Sequence, residues 1–199
     1  MTARAVFQFF RAEGEGNRLT LFDGLEGRPL EQFDLPRQQR ADGLSLPDWV
    51  LPSDGTRRDH VCLFVTTAGE GIRERAERYK RDGEYVMSHA LQALALETAE
   101  AAAEWLHARI RNMWGFPDPP EMTMTQRFQA KYRGKRYSFG YPACPNLEDQ
   151  AKLWTLLEPE RIGVALTEGF MMEPEASVSA LVFHHPDATY FSVGKEEGE

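Results

Sequence analysis

Hydrophobic and polar positions alternate early in this chain, cycle at helical spacing in its middle, and alternate again near its end. Residues 5–10 (Ala-Val-Phe-Gln-Phe-Phe) and 18–22 (Arg-Leu-Thr-Leu-Phe) are runs of β-formers. Glu13-Gly14-Glu15-Gly16-Asn17 between them is turn composition and predicts an antiparallel hairpin. Residues 29–33 predict a further strand. Through 35–56 proline, glycine and aspartate recur, so a long ordered loop is expected, pinned to the core by Trp49, Val50 and Leu51. Residues 60–67, His-Val-Cys-Leu-Phe-Val-Thr-Thr, are almost continuously apolar, the pattern of a strand covered on both faces.

The period then lengthens. Residues 70–81 alternate charges at helical spacing and predict a surface helix. Residues 85–113 predict the longest helix, with Val86, Ala90, Leu91, Leu94, Ala101, Ala102, Trp105, Leu106, Ile110 and Met113 recurring at close to 3.6 residues. No Gly or Pro interrupts it, and Trp114-Gly115-Phe116-Pro117 stops it. A short helical or irregular piece at 125–132 leads into a basic loop at 133–145. Asn146 reads as the N-cap of a helix to 157, with Asp149 three residues on. Strands are expected at 164–170, 177–184 and 189–193, with turns at Glu173-Pro174-Glu175 and His185-Pro186-Asp187 and a frayed tail at 195–199. Strands, then helices, then strands argue for one α+β domain over residues 1–199 with a mainly antiparallel sheet and a long central helix.

Composition narrows the partners. At 199 residues and 42% hydrophobic, the chain can bury a core. Its 23 basic against 31 acidic side chains leave a net charge of −8, which disfavours nucleic acid and anionic membrane surfaces. No apolar run approaches the roughly 20 residues that a bilayer demands, and Met1-Thr2-Ala3-Arg4 opens no signal-peptide core, so a cytoplasmic location is the expectation. Cys62 and Cys144 lack the neighbours for a disulfide framework or a zinc site.

No phosphate loop, dinucleotide fingerprint, zinc-protease helix or nucleophile elbow occurs. Three features could carry chemistry. The loop 133–145 sets Arg133, Lys135 and Arg136 among Tyr137, Phe139 and Tyr141, with Gly140 able to admit a ligand close to the backbone. Arg136 could grip a carboxylate through its guanidinium fork, or the loop could be plain charged surface. Glu97, Glu100, Glu104 and His107 lie on neighbouring faces of the long helix, where a carboxylate could accept from ribose hydroxyls or simply be solvated. His184 and His185 point to opposite faces of a strand, so they read as a turn with one ring packed and not as a metal pair.

At this loop a family resemblance enters. Arg136-Tyr137-Ser138-Phe139-Gly140-Tyr141-Pro142-Ala143-Cys144-Pro145 resembles the Arg-x-x-x-Gly-Tyr-Pro-Ala-Cys-Pro signature of the C-terminal activation domain of cobalamin-dependent methionine synthase. Two further blocks agree in order and spacing. One is Ala99-Glu100-Ala101-Ala102-Ala103-Glu104-Trp105-Leu106-His107; the other is Leu166-Thr167-Glu168, then Pro174-Glu175-Ala176-Ser177-Val178-Ser179 and His185-Pro186-Asp187. The resemblance runs from residue 3 to 193 and is strongest from Tyr85 onward.

The resemblance implies a helmet-like α+β domain, built on a twisted antiparallel sheet, that binds S-adenosyl-L-methionine. Its task is reactivation: inactive cob(II)alamin, held by the cobalamin-binding domain of the synthase, is reductively methylated to methylcobalamin, with flavodoxin or an equivalent reductase delivering the electron. By this resemblance Arg136 pairs with the ligand carboxylate, Glu100 accepts from the ribose, Tyr190 and Phe191 contact the adenosine, and Gly140 and Tyr141 shape the loop, with Tyr141 near the corrin. The chain is then part of a methyltransferase and catalytically incomplete alone. The family also uses an aspartate in an N-terminal segment that this alignment places upstream of the chain, so a piece of a longer synthase and a free-standing shortened relative both remain open. Two other readings stay beside it: a docking module that caps a corrinoid methyltransferase without useful S-adenosylmethionine affinity, and a sibling module serving another corrinoid methyltransferase.

Overall fold

Val61, Leu63 and Val65 join one cluster of buried side chains, while Cys62 and Phe64, between them in sequence, join another. A strand without a polar face has to lie inside a sheet covered on both sides. The computed structural model, which describes residues 1–24, 27–52 and 57–193, places it there. The elements are β1 (Arg4–Glu15), β2 (Arg18–Phe22), β3 (Pro29–Asp34), β4 (Asp59–Thr67), α1 (Ile72–Arg81), α2 (Tyr85–Met113), α3 (Met124–Phe128), β5 (Lys135–Tyr137), α4 (Gln150–Leu157), β6 (Ala165–Leu166), β7 (Met172–Glu173) and β8 (Ser177–Phe183). Among the described residues, six strands form one sheet in the order β3-β2-β1-β4-β8-β5, with every pairing antiparallel. The expected α+β class holds. Among the same residues no helix is long and apolar enough to cross a membrane.

Several expected boundaries move. β1 runs on to Glu15, and the hairpin turn shrinks to Gly16 and Asn17. Gly14 therefore sits in a strand, and it is a glycine because an added Cβ would strike the Pro47 carbonyl. Within the expected loop 35–56, Leu46–Trp49 forms a 3-10 turn and Pro52 bridges to Gly14, while residues 53–56 lie outside the described residues. The strand expected at 164–170 is only β6, because the chain turns back at once to pair with β7. The expected strand at 189–193 is extended but unpaired. Its backbone is tied instead to Tyr137, Gln38 and Pro142, which removes any need for a ladder. The expected frayed tail at 195–199 lies outside the described residues.

The sheet has a core on each face. On one, Val6, Phe10, Leu21, Leu63, Leu181 and Phe183 pack beneath α4 and the Leu46–Trp49 turn. On the other, α2 lies on β4 and β8. The apolar periodicity found the buried face of α2 only in part, at Leu106 and Ile110. Val86 is 80% exposed, Trp105 64% and Leu94 59%, whereas Ala95, Ala99 and Ala103 are buried together with Leu106, His107, Ile110 and Arg111. A helix pressed onto a sheet that already carries Phe64 and Val182 has room only for short side chains where they meet.

The C-terminal end of α2 is held by a buried ion pair. Arg111 Nε and Nη2 donate to Asp118 Oδ1 and Oδ2 at 2.6 and 2.7 Å, with the two side chains 1% and 6% exposed. Arg127 adds a contact to Asp118 Oδ2 at 3.1 Å, which ties α3 to the same carboxylate. Removing one partner leaves the other charge buried and unpaired, so Asp118→Asn is expected to destabilise the fold by about 3–5 kcal/mol. Urea unfolding monitored by circular dichroism checks this. The double substitution Arg111→Met/Asp118→Leu, which removes both charges, should recover most of the loss.

Candidate functional site

The site grows from the period of a strand. In β5, Tyr137 faces the core beneath α4, with its ring 5.7 Å from that of Phe183. Arg136, one residue earlier, takes the opposite face and meets α2. There its Nη1 donates to Glu104 Oε2 at 2.6 Å. The same oxygen accepts from the Tyr132 hydroxyl at 3.1 Å. Arg136 Nη2 lies 3.9 Å from Glu100 Oε2, outside hydrogen-bond distance. Burial works against the charge of Arg136, but the bond and charge of Glu104 prevail and hold the guanidinium above its ordinary pKa. Burial, reinforced by Glu104, likewise pushes the Tyr132 hydroxyl up, so it stays a donor.

After β5 the chain makes a tight turn. Gly140 has φ +81°, a conformation that side-chain-bearing residues rarely adopt. Its N–H donates to the Cys144 carbonyl and the Cys144 N–H to the Tyr141 carbonyl, each at 2.9 Å. This leaves Tyr141 exposed and Ala143 and Cys144 buried. The segment 189–193 is laid alongside. The Tyr137 hydroxyl donates to the Thr189 carbonyl at 2.6 Å, the Val193 N–H to the Pro142 carbonyl at 3.2 Å, and the Tyr190 ring stands 5.5 Å from that of Tyr137.

Glu100, Arg136, Tyr137, Tyr141, Tyr190 and Phe191 line one cavity of about 490 Å³, within the usual range for small-molecule sites. A second hollow of about 320 Å³ shares Glu100, Arg136 and Tyr190 with it and is also bordered by Glu97, Glu104 and Tyr132. The structure thus brings Glu100, Arg136, Tyr141, Tyr190 and Phe191 together from distant parts of the chain. Gly140 is not on the wall and acts through the turn that sets Tyr141. Together these groups offer a fork for a carboxylate, carboxylates for hydroxyl donors, and aromatic walls for a flat ring. Cys144 also borders the cavity, but burial pushes its thiol up and leaves it a poor nucleophile.

Sequence reasoning placed Glu104 in the helix row without giving it a partner, and it passed over Tyr132. The i, i+4 spacing from Glu100 was the available signal; the contact with Arg136 comes from the sheet. The row itself is not a solvated face throughout. The Glu100 side chain is 57% exposed and that of Glu104 25%, while His107 is fully buried, so the row descends into the core. The histidine pair separates as expected, but both rings are packed where only one was expected to be. His184 Nε2 sits 2.6 Å from Asp59 Oδ1, with its ring against the Trp114 and Phe116 rings, which also touch each other, and the His185 ring packs on Trp49.

The family described as vitamin B12 dependent methionine synthase, activation domain, matches residues 1–199. The methionine synthase of Mycobacterium tuberculosis (strain ATCC 25618 / H37Rv) is 36% identical over 203 residues, covering 96% of this chain and 17% of that protein. The methionine synthase of Mycobacterium leprae (strain TN) is 36% identical over 206 residues with the same coverages. The chain therefore spans only a small part of the length of the curated relatives it matches. The crystal structure of the MetH reactivation domain bound to AdoHcy superposes with a TM-score of 0.89 at 30% identity, covering 96% of this chain and 61% of that one.

Beneath the site His107 stays neutral. Burial, then the charges of Arg111, Arg136 and Lys135, hold its pKa well below the ordinary value. Below about pH 6.5 the unfolded chain takes up a proton there that the folded chain refuses, so stability falls with pH by at most about 1.4 kcal/mol per unit. His107→Leu is expected to flatten the fall in unfolding free energy between pH 7 and pH 5. Equal falls in both proteins would show that His107 is charged in the fold.

Proposed function

This chain belongs to the vitamin B12 dependent methionine synthase activation-domain family, and on that premise we propose that its cavity binds S-adenosylmethionine and presents it for reductive methylation of cob(II)alamin held by a partner domain. The observation that carries the reading is Arg136. It is a largely buried guanidinium with one nitrogen held by Glu104 and another outside hydrogen-bond distance of Glu100, at the wall of a cavity of about 490 Å³. Such a fork suits an amino-acid carboxylate.

The remaining groups fit the rest of the ligand. Glu100 accepts from the ribose hydroxyls, Tyr190 and Phe191 take the adenosine, and exposed Tyr141 faces the corrin when the domains close. S-adenosylmethionine supplies the methyl group, and a flavodoxin-like reductase of the cytoplasm supplies the electron. The protein needs no general base, because the leaving group is a neutral thioether, and its residues act by binding and orientation. The AdoHcy in the MetH reactivation domain is the thioether that such a transfer leaves behind, which supports the same reading here.

Isothermal titration calorimetry of the folded chain with S-adenosylmethionine and S-adenosylhomocysteine is expected to give saturable one-to-one binding. Arg136→Ala should weaken it by about 2–4 kcal/mol, the scale for breaking a charge-assisted pair. Arg136→Lys, which keeps the charge but loses the fork, should fall between the two. No binding by well-folded wild-type protein, or full affinity in Arg136→Ala, would sink the reading.

A further inference from the structure

Arg136 lies on a strand of three residues at the sheet edge, and its long side chain has more than one carboxylate in reach. Glu104 holds it at 2.6 Å, while Glu100 waits at 3.9 Å. A guanidinium free to swing onto Glu100 would occupy the carboxylate and part of the fork together. Something has to keep Glu104 in place, and Tyr132 does. Its hydroxyl donates to the same Oε2 that Arg136 uses. The Tyr132 ring is itself gripped: the Arg111 guanidinium carbon lies 3.7 Å from its centroid, and His107 packs edge-on at 5.1 Å. Arg111 is in turn locked by its paired bonds to Asp118.

We propose that Tyr132 and Glu104 form a positioning pair that holds the Arg136 guanidinium ready for the carboxylate of the ligand. The pair touches Arg136 and is not itself required to touch the ligand. Rigid placement of a flexible cation before binding lowers the ordering cost that binding otherwise carries. The inference rests on the S-adenosylmethionine reading and adds the residues that set its carboxylate anchor.

The test is Tyr132→Phe, which removes one hydroxyl and keeps the ring contacts. Calorimetry compares S-adenosylmethionine with decarboxylated S-adenosylmethionine, which lacks only the carboxylate. Tyr132→Phe is expected to bind S-adenosylmethionine about five- to tenfold more weakly, the scale of one hydrogen bond, and to bind the decarboxylated analogue as wild type does. In an Arg136→Ala background the same change should have no further effect. A loss shared equally by both ligands marks a merely structural role, and unchanged or tighter S-adenosylmethionine binding removes the pair from positioning; either overturns the inference. Failure of the parent reading looks different, because wild type then fails to bind or Arg136→Ala binds as wild type does. A urea midpoint for Tyr132→Phe close to wild type shows that the variant is folded.

Discussion

A strand that is apolar on both faces constrains everything else in this domain. β4 has to be paired on both edges and covered above and below, since any exposed face would leave apolar side chains in water. β1 and β8 take its edges, and α4 with the Leu46–Trp49 turn covers one face. The other face receives α2, whose alanines allow close approach. That packing then decides which residues of α2 reach the sheet edge. Ala103 lies on the sheet, so Glu104 stands beside it where β5 ends the sheet, and Arg136 on β5 finds it there.

Charge is handled differently at the two ends of this arrangement. Arg111 and Asp118 are closed on each other in a pair that is almost wholly buried, which makes them structural. Arg136 is paired more openly. Glu104 takes one nitrogen, and the side chain still borders two hollows, lined with carboxylates and aromatic rings, that share Glu100 and Tyr190 with it. Tyr132 joins the two systems, with its ring against Arg111 and its hydroxyl on Glu104. The same helix thus carries a locked anchor and, two turns earlier, an ion pair that borders a cavity. A rigid base under an open site suits the proposed presentation of S-adenosylmethionine to a neighbouring module.

Much of this was legible in order along the chain. The long helix has the bounds its composition implied, β4 reads as a strand covered on both faces, and the Gly140 turn stands out as Gly-Tyr-Pro-Ala-Cys-Pro. Local patterns specify such features because they depend on neighbours in sequence. The faces of α2 were legible only in part. Val86, Leu94 and Trp105 are the larger apolar residues, yet alanines lie inside, since burial there is decided by the space above Phe64 and Val182. The segment 189–193 has β composition, but its backbone found partners in Tyr137, Gln38 and Pro142 before any strand edge.

The sequence by itself determined the α+β class and the order of most elements, which follow from short-range periodicity. The family and the candidate residues Arg136, Glu100, Tyr190 and Phe191 came from a resemblance carried by three separated motif blocks. Only the tertiary structure decided that Arg136 belongs to Glu104, that Tyr132 steadies the pair, and that His107 is buried and neutral. The contacts of Glu104 join α2 to β5 and to the residues just before it, some 28 to 32 positions away in sequence. No pattern along a single segment can encode a contact whose geometry is set by how closely two separate elements pack.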